Sequence, residues 1–171
     1  MDEHERTRIR AAIDAAEGGG TPPLSDEQLR TLLAESRNIA IVGASPKPDR
    51  PSHGVLLALK AAGWRILPVN PAANALADGV AGLPCFPDLA SAAASLPNGE
   101  RIDLVDVFRR SEDCAAVTRD AIAVGAGAIW LQLGIISPEA AALAADAGVL
   151  FVQDRCTAIE VQRLKVSGPS A

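Results

Sequence analysis

Five short apolar runs, separated by loops and by segments with helical spacing, constrain this chain more than any other feature of its sequence. The runs cover residues 38–43, 65–70, 102–108, 128–133 and 149–152. They are continuous rather than alternating, which is typical of parallel strands that are buried on both faces of a sheet. Right-handed crossovers through the intervening helices then predict an α/β fold, a Rossmann-like doubly wound parallel sheet of about five strands with helices on both faces.

The helices between these runs are indicated by spacing and by end signals. We expect helices over residues 52–62, 88–95, 111–124, 138–147 and 158–164. Ser111 and Ser137 are suitable N-cap residues, because a serine hydroxyl can accept a hydrogen bond from an N–H of the first turn. Pro138 fits the first helical position, and Gly148 fits the position where a helix ends.

The chain divides into three parts by its sequence pattern. Residues 1–35 read as an N-terminal helical extension with a Gly/Pro linker: a polar helix over 3–16, a break at 18–23, and a second helix to about residue 36. Ser25 and Gln28 form a capping-box pattern at the start of that second helix. Residues 36–165 are predicted to be the Rossmann-like domain, and residues 166–171 a frayed tail.

Composition and charge exclude several classes of function. Aromatic residues make up 3% of the chain, which is too few for a surface on which bases stack. The formal net charge is −5, so general binding of nucleic acid or of a membrane surface is disfavoured. A negative net charge is still compatible with the binding of one specific anion, provided that a few nearby cationic side chains hold it.

The cysteines, the histidines and the N-terminus favour a cytoplasmic protein without a metal site. Cys85, Cys114 and Cys156 have no CxxC spacing and are expected to be reduced thiols. The two histidines lie apart from any cysteine cluster, so a zinc site is not predicted. The charged N-terminus does not resemble a signal peptide, and no apolar stretch is long enough to span a bilayer.

The loop after the first run has the composition of a phosphate site. Ligands of such folds bind outside the carboxyl ends of the strands, and a helix start next to a strand end attracts anions. The loop reads Gly-Ala-Ser-Pro-Lys-Pro-Asp-Arg-Pro-Ser-His-Gly over residues 43–54. Its small residues let the backbone approach a ligand closely, and Lys47 and Arg50 supply positive charge. An ordinary strand-to-helix loop is the alternative.

The same loop does not fit a dinucleotide. It lacks the G-x-G-x-x-G pattern, because residue 45 is Ser and the next glycine is Gly54. A carboxylate for the ribose diol is expected after the second strand, where this chain has Val69, Asn70 and Pro71 instead. NAD is therefore disfavoured, and a P-loop is excluded because G-K-[ST] does not occur.

Four segments carry a resemblance to a known family. The segments IAIVGASPKPDRPSHGV, ILPVNP, DLVDVFRRSE and IWLQLGI occur in this order. Together they resemble the CoA-binding domain proteins, which are small single-domain relatives of the N-terminal domain of the succinyl-CoA synthetase α subunit. The resemblance covers roughly residues 38–164. It implies that coenzyme A binds across the strand ends, with its phosphates over the first loop.

The resemblance also implies which residues bind the cofactor. Along the first loop, Gly43, Ala44, Ser45, Arg50 and Ser52 would bind the diphosphate, and Lys47, Pro51 and His53 of the same loop complete the expected set. For His53, donation to a phosphate and capping of the helix start are equally open. Val69, Asn70 and Pro71 would line the nucleotide pocket. Val107, Phe108 and Arg109 would contact the adenine or its phosphoribose, and Leu133 and Gly134 would border the pantetheine path.

No residue set for catalysis is predicted. Asp103 and Asp106 are three residues apart in one run and would face opposite sides, so they make a poor acid/base pair. Cys156 has no second histidine beside it in the sequence, and Asp154 and Arg155 are expected to form an ion pair or to interact with the helix start. A binding or regulatory module is therefore favoured, and an enzyme is not.

Three alternatives remain open. The chain could be an NAD(P)-binding Rossmann oxidoreductase, a subunit of an acyl-CoA synthetase-like enzyme, or an acyl-CoA-handling enzyme in its own right. The expected partner is a small-molecule ligand, coenzyme A, rather than nucleic acid or a membrane. A homodimer and a separate partner subunit both remain open.

Overall fold

The computed structural model describes residue 6, residues 22–75 and residues 77–170, with the side chain of Asn74 excepted. Of the polar helix that we expect over 3–16, only Arg6 lies within this part of the chain, where it is helical and exposed. Residues 22–170 form these elements: α1 (Asp26–Glu35), β1 (Asn38–Val42), α2 (Pro51–Ala61), β2 (Arg65–Val69), α3 (Leu89–Ala94), β3 (Leu104–Val107), α4 (Cys114–Ala123), β4 (Ala128–Leu131), α5 (Pro138–Ala147), β5 (Leu150–Val152) and α6 (Thr157–Leu164).

The five strands form one sheet in which all the pairs are parallel. The strand order is β2-β1-β3-β4-β5. Val42 at the end of β1 lies beside Val69 of β2 and Val107 of β3. The chain therefore leaves β1 and β3, which are neighbours in space, at the same edge of the sheet. This arrangement confirms the predicted Rossmann-like fold and places the loops after β1, β2 and β3 side by side.

Burial explains why the strand sequences are continuously apolar. Every residue of β1, β3 and β4 is buried, because helices cover both faces of the sheet. The strands are one to three residues shorter than the apolar runs that predicted them. Ile102, for instance, is fully buried but precedes β3, because an apolar residue can pack beyond the last paired position.

Helices of different composition cover the two faces. On one face, α1, α2 and α6 contribute Leu33, Leu56 and Val161 to a core that also contains Trp130. On the other face, helices α3, α4 and α5 contribute mainly alanines, which let these helices lie close to the sheet. The indole N–H of Trp64 donates to the carbonyls at the end of α1, 3.2 Å to Leu33 and 3.1 Å to Ser36.

Most predicted helix ends are confirmed. Ser25 accepts from the backbone of Gln28 at 3.2 Å, and the Gln28 side chain accepts from the Ser25 backbone at 2.8 Å, so the capping box is complete. Ser137 caps α5 through the backbone N–H of Ala140, and Gly148 ends it in the left-handed conformation. The N-cap prediction for Ser111 is wrong, because residues 111–113 form a 3₁₀ turn ahead of α4.

The last described residues lie against the turn between α2 and β2. Gly168 donates its backbone N–H to the Ala62 carbonyl at 2.7 Å, and Ser170 donates to Gly63 at 3.1 Å. A side chain at Gly168 would collide with the backbone of Gly63. This segment, where we expect fraying, thus has specific backbone partners. Among the described residues, no helix is both long and apolar enough to cross a bilayer.

Candidate functional site

Backbone hydrogen bonds join the loop after β1 to the end of β2. The N–H groups of Gly43 and Ala44 both donate to the Val69 carbonyl, at 2.9 and 3.2 Å. The side-chain amide of Asn70 donates to the Ala44 carbonyl at 2.8 Å, and its oxygen accepts from Ala72 at 2.9 Å. Sequence positions that are 26 residues apart are therefore held within one small cluster, which Pro71 follows on the surface.

The first loop folds back onto the start of α2 through two serines. The Ser52 hydroxyl, which is buried, accepts from the backbone N–H of Ser45 at 3.1 Å, and the Ser45 hydroxyl accepts from the N–H of Lys47 at 3.2 Å. Each hydroxyl acts as an acceptor in these contacts, so its hydrogen remains available for another acceptor. The loop is thus shaped by its own side chains while both hydroxyl donors are retained.

His53 contacts the same loop from the first turn of α2. Its Nδ1 lies 2.9 Å from the Ser45 carbonyl oxygen. A carbonyl only accepts, so Nδ1 carries the proton in this contact. A neutral His53 then presents the lone pair of Nε2, and this nitrogen donates to an anion only when the ring is protonated. The observed contact joins α2 to the loop and is neither of the two roles that we left open, donation to a phosphate and capping of the helix start.

A close approach brings the exit of β3 to Gly43. Gly43 has a φ of +86°, and a Cβ on this residue would collide with the carbonyl oxygen of Phe108. Its other neighbour is the Cδ atom of Arg109, at 3.3 Å from the same Cβ position. Phe108 donates its backbone N–H to Val42 at 2.8 Å and packs half-buried against the core. The positions predicted around residue 43 and around residues 107–109 are therefore adjacent.

The cations around this cluster differ in their acidic partners. Arg109 lies 3.7 Å from Asp113, and Arg110 contacts both Glu112 and Asp113. Within residues 22–75 and 77–170, neither Lys47 nor Arg50 forms a salt bridge, and both are exposed. The exposed Asp49 lies between them in the sequence.

The start of α2 adds to this positive character. Its first turn contains no acidic residue, and Arg50 stands at the N-cap position without a side-chain capping bond. A helix N-terminus carries partial positive charge on its unpaired N–H groups. The first loop therefore offers an anion two charged side chains, two hydroxyl donors and the end of a helix dipole.

The exit of β4 lies one strand farther along the same edge. Leu133 is exposed over 44% of its surface, although it is a large apolar residue. The backbone N–H of Gly134 donates to the Asp154 carboxylate at 2.7 Å, which joins the loop after β4 to the loop after β5. Leu133 and Gly134 thus lie at the predicted edge, on the far side of the β3 exit from the first loop.

A buried polar cluster beneath this edge escaped the sequence analysis. Asp106 of β3, Gln132 after β4 and Thr157 of α6 are all buried and bonded to one another. Burial raises the pKa of the Asp106 carboxyl to about 7, although hydrogen bonds from Gln132 and Thr157 lower it. The one available signal was a polar residue at an inner position of each of two mainly apolar runs, Asp106 in IDLVDVF and Gln132 in AIWLQL.

The expected ion pair between Asp154 and Arg155 does not form. The Asp154 carboxylate is occupied by Gly134, whereas Arg155 lies 3.4 Å from Glu160 of α6. The alternative that we expected, an interaction with the helix start, is observed for Arg155, because Glu160 lies in the first turn of α6. Asp154 and Arg155 therefore have separate partners, Gly134 and Glu160, and do not contact each other's charged group.

The three cysteines are free thiols in different surroundings. Cys114 is buried, and this burial, with Asp113 nearby, raises its pKa to about 11. Burial also raises the pKa of Cys85. Thiols of this kind are poor nucleophiles near neutral pH, because little thiolate is present. Cys156 stands at the N-cap of α6 without a side-chain capping bond.

A groove of about 410 Å³ opens at the opposite edge of the sheet. Its lining comes from α1 and from residues at the amino ends of the strands, such as Ser36 before β1, Asp103 before β3 and Gly127 before β4. Ligands of open α/β sheets bind at the carboxyl ends of the strands. The candidate site is therefore the edge formed by the loops after β1, β2, β3 and β4, and not this groove.

Comparison with known proteins gives three kinds of match. The sequence model of a family described as a CoA binding domain matches residues 37–162. The Bacillus subtilis protein YneT is 34% identical over 132 residues, which cover 77% of this chain and 90% of that protein. The structure of cell-free ID.343 from Thermus thermophilus superposes with a TM-score of 0.73 at 34% identity, covering 82% of this chain and 99% of that one.

A larger protein shares the fold. The dinucleotide forming Acetyl-coenzyme A synthetase 1 of Ca. Korarchaeum cryptofilum, solved in complex with phosphate and ADP, matches 72% of this chain with 26% of its own. The TM-score is 0.57 and the identity is 23%. At this identity the likeness concerns the architecture of the domain alone.

Proposed function

This chain belongs to the CoA-binding domain family, and from that premise we propose that it binds coenzyme A, or an acyl-CoA, at the carboxyl edge of its sheet as a non-catalytic binding or regulatory module. The observation that carries the proposal is the clustering of the loops after β1, β2 and β3 around Gly43. Coenzyme A needs such a cluster, because its diphosphate, its phosphoribose and its adenine must be bound together.

The diphosphate binds over the first loop in this proposal. Lys47 and Arg50 supply the charge, since neither forms a salt bridge within the described part of the chain. The remaining hydrogen bonds come from the hydroxyl groups of Ser45 and Ser52, which act only as acceptors within the loop. Gly43, Ala44, Pro51 and His53 line the diphosphate without backbone donation, because proline has no N–H and the other three N–H groups already donate to Val69 or Arg50. Arginine suits a phosphate because its guanidinium can donate two parallel hydrogen bonds.

The nucleotide lies between the exits of β2 and β3. Val69, Asn70 and Pro71 form one wall, and Val107, Phe108 and Arg109 form the other. The Phe108 ring is the aromatic surface on which adenine stacks in this proposal. Arg109 interacts with the 3′-phosphate and exchanges its contact with Asp113 for this stronger anion.

The pantetheine arm runs toward the exit of β4. Leu133 and Gly134 border its path, and the exposed Leu133 side chain gives the arm an apolar contact. An arm that follows this edge crosses from the first loop past Phe108 to β4. The strand order β1-β3-β4 allows this path, because pantetheine is joined to the diphosphate at the first loop.

The end of β2 favours coenzyme A over a nicotinamide dinucleotide. The residue at the ribose position is Asn70, and both polar atoms of its side chain are occupied by Ala44 and Ala72. A dinucleotide site needs a carboxylate there to accept hydrogen bonds from the ribose diol. An NAD(P)-dependent oxidoreductase therefore remains the weaker alternative.

The sequence and the free thiols lead us to propose a cytoplasmic location. Cys85, Cys114 and Cys156 are all unbridged, which suits a reducing compartment.

Calorimetric titration tests the proposal directly. We expect the purified chain to bind coenzyme A with a dissociation constant in the micromolar range, about −8 kcal/mol. Acetyl-CoA, NAD and NADP are titrated in parallel under the same conditions. Heat from NADP without heat from either CoA ligand would contradict the proposal and support the oxidoreductase.

A further inference from the structure

The buried cluster of Asp106, Gln132 and Thr157 connects β3, the exit of β4 and the start of α6. The Gln132 amide nitrogen donates to Asp106 Oδ1, and it lies 3.1 Å from Thr157 Oγ1. Thr157 Oγ1 in turn donates to Asp106 Oδ2 at 2.7 Å. Asp106 and Thr157 are fully buried, and Gln132 is 6% exposed. Three side chains from distant parts of the sequence thus form a closed triangle.

Donor and acceptor roles in this triangle fix the orientation of Gln132. The amide nitrogen of Gln132 donates one hydrogen to Asp106 and the other to Thr157. The threonine hydroxyl donates its own hydrogen to Asp106. Above about pH 7 the Asp106 carboxyl is ionised and only accepts, so the nitrogen of Gln132, and not its oxygen, faces Asp106. The amide oxygen must therefore point away from the cluster.

That oxygen is in contact with solvent. No donor in the described part of the chain lies within hydrogen-bond distance of Gln132 Oε1, and no fully buried side-chain nitrogen or oxygen atom there lacks a partner. Gln132 Oε1 is consequently not sealed inside the protein. Gln132 immediately precedes Leu133, whose side chain is 44% exposed at the exit of β4. Gln132 thus lies where the chain leaves β4, at the carboxyl edge of the sheet.

We propose that Gln132 Oε1 accepts a hydrogen bond from an amide N–H or a hydroxyl group of the pantetheine arm, and that Asp106 and Thr157 are positioning residues that hold this acceptor in place. The inference rests on the proposed function, because it assigns a partner for the arm of the same ligand. It explains why a polar triangle occupies space that apolar side chains would fill at lower desolvation cost.

The chemistry of the arm fits such an acceptor. A pantetheine arm contains two amide N–H groups and a hydroxyl group, all of them neutral donors. A fixed neutral acceptor recognises a donor without attracting a cation, and its orientation requires no ordering on binding because the triangle already holds it. Adenosine 3′,5′-bisphosphate has the nucleotide part of coenzyme A without the arm, so it does not contact this acceptor.

The experiment compares coenzyme A with adenosine 3′,5′-bisphosphate. We expect Gln132→Leu to weaken the binding of coenzyme A about 3- to 12-fold, as for one lost hydrogen bond, and to leave the affinity for the bisphosphate unchanged. Gln162→Leu, an exposed glutamine on α6, serves as the matched control and changes neither affinity. Thermal unfolding of each variant is measured beside the titrations.

A second pair of variants tests the positioning role. Thr157→Val removes the hydroxyl and leaves the acceptor less firmly oriented, so coenzyme A binds about 2- to 3-fold more weakly while the bisphosphate is unaffected. Thr157→Ser keeps the hydroxyl and restores the wild-type affinity for coenzyme A. This pair also carries the test if Gln132→Leu does not fold.

Three results would overturn the inference. Equal losses for both ligands would mean a purely structural cluster, and so would an unchanged affinity for coenzyme A in Gln132→Leu. Equal affinities of Thr157→Val and Thr157→Ser for coenzyme A would remove the positioning role. If wild-type protein binds neither ligand, the proposed function itself fails, and this outcome is distinguished from the others by the wild-type titration alone.

Discussion

Gly43 lies directly against the carbonyl group of Phe108, so the first loop and the exit of β3 meet with no room for a side chain between them. The positive φ of Gly43, +86°, independently favours glycine at this position. Two separate requirements, one of space and one of backbone conformation, therefore fall on the same residue. The relation defines the centre of the candidate site.

Alanine substitutions at Gly43 and at Gly82 separate these two requirements, because both glycines have a positive φ but only Gly43 lacks space for a side chain. We expect Gly43→Ala to lower the free energy of unfolding by about 3 kcal/mol, through left-handed strain and the collision with Phe108. Gly82→Ala is the matched control, because Gly82 has a φ of +77° and open space around it, and should cost about 1 kcal/mol. Urea unfolding of both variants measures the difference. Equal losses would show that the close approach carries no energetic weight.

Arg50 is the side chain on which the phosphate assignment depends most. We expect Arg50→Ala to weaken coenzyme A binding by about 1.5–3 kcal/mol, roughly 10- to 150-fold, because a charge-assisted contact is lost. Arg119→Ala, at an exposed arginine that contacts Glu139, controls for the change in net charge. Calorimetric titration of both variants distinguishes a site contact from a general charge effect. An affinity unchanged in Arg50→Ala would remove this residue from the site.

Asp106 predicts a specific dependence of stability on pH. Burial raises the pKa of Asp106 to about 7 in the folded chain, whereas an unfolded aspartate titrates near 3.9. The folded protein therefore binds the proton more tightly. The stability that Asp106 contributes is fully present below about pH 4 and is lost as the pH rises through about 7.

Asp106→Asn cannot titrate, so it isolates this contribution. We expect the free energy of unfolding of the wild type, relative to that of Asp106→Asn, to fall as the pH rises from about 4 to about 7 and to be constant above about 8. Urea unfolding at several pH values measures both proteins, and carboxylates elsewhere cancel in the comparison. A difference that stays constant, or that grows with pH, would contradict the raised pKa.

The capping box at the start of α1 predicts a local effect on stability. Ser25→Ala removes the side-chain acceptor for the backbone N–H of Gln28 and should lower the free energy of unfolding by about 1 kcal/mol. Coenzyme A affinity should not change, because α1 lies at the far end of the sheet from the candidate site. Thermal unfolding and titration of the same sample provide both measurements. A loss of affinity in this variant would show coupling between the two ends of the sheet.

Local patterns in the sequence predicted the fold and the helix ends well. The reciprocal bonds of Ser25 and Gln28 depend on residues three apart, and the end of α5 depends on one glycine. Ser111 was assigned wrongly, because a 3₁₀ turn and an α-helix begin with the same residue types. Such choices depend on how the following turn packs, which a local pattern does not record.

The candidate site was predictable only as a set of loops. Topology alone places the segments after β1, β2 and β3 at one edge, so Gly43, Asn70 and Phe108 could be grouped before any contact was known. The triangle could not be predicted, since Thr157 and Asp106 are 51 residues apart and meet through the packing of α6 on the sheet. The proton position on His53 likewise depends on a carbonyl eight residues away.

The position of β1 beside β3 has a thermodynamic consequence. These strands are separated in the sequence by β2 and are neighbours only in the folded sheet, so the junction between them exists in the native state alone. Any molecule that spans this junction is bound by folded chains and not by unfolded ones. Its concentration then enters the folding equilibrium by mass action, and at 100 times its dissociation constant it adds about 2.7 kcal/mol to the stability. Ligand occupancy and the stability of the fold are thereby linked.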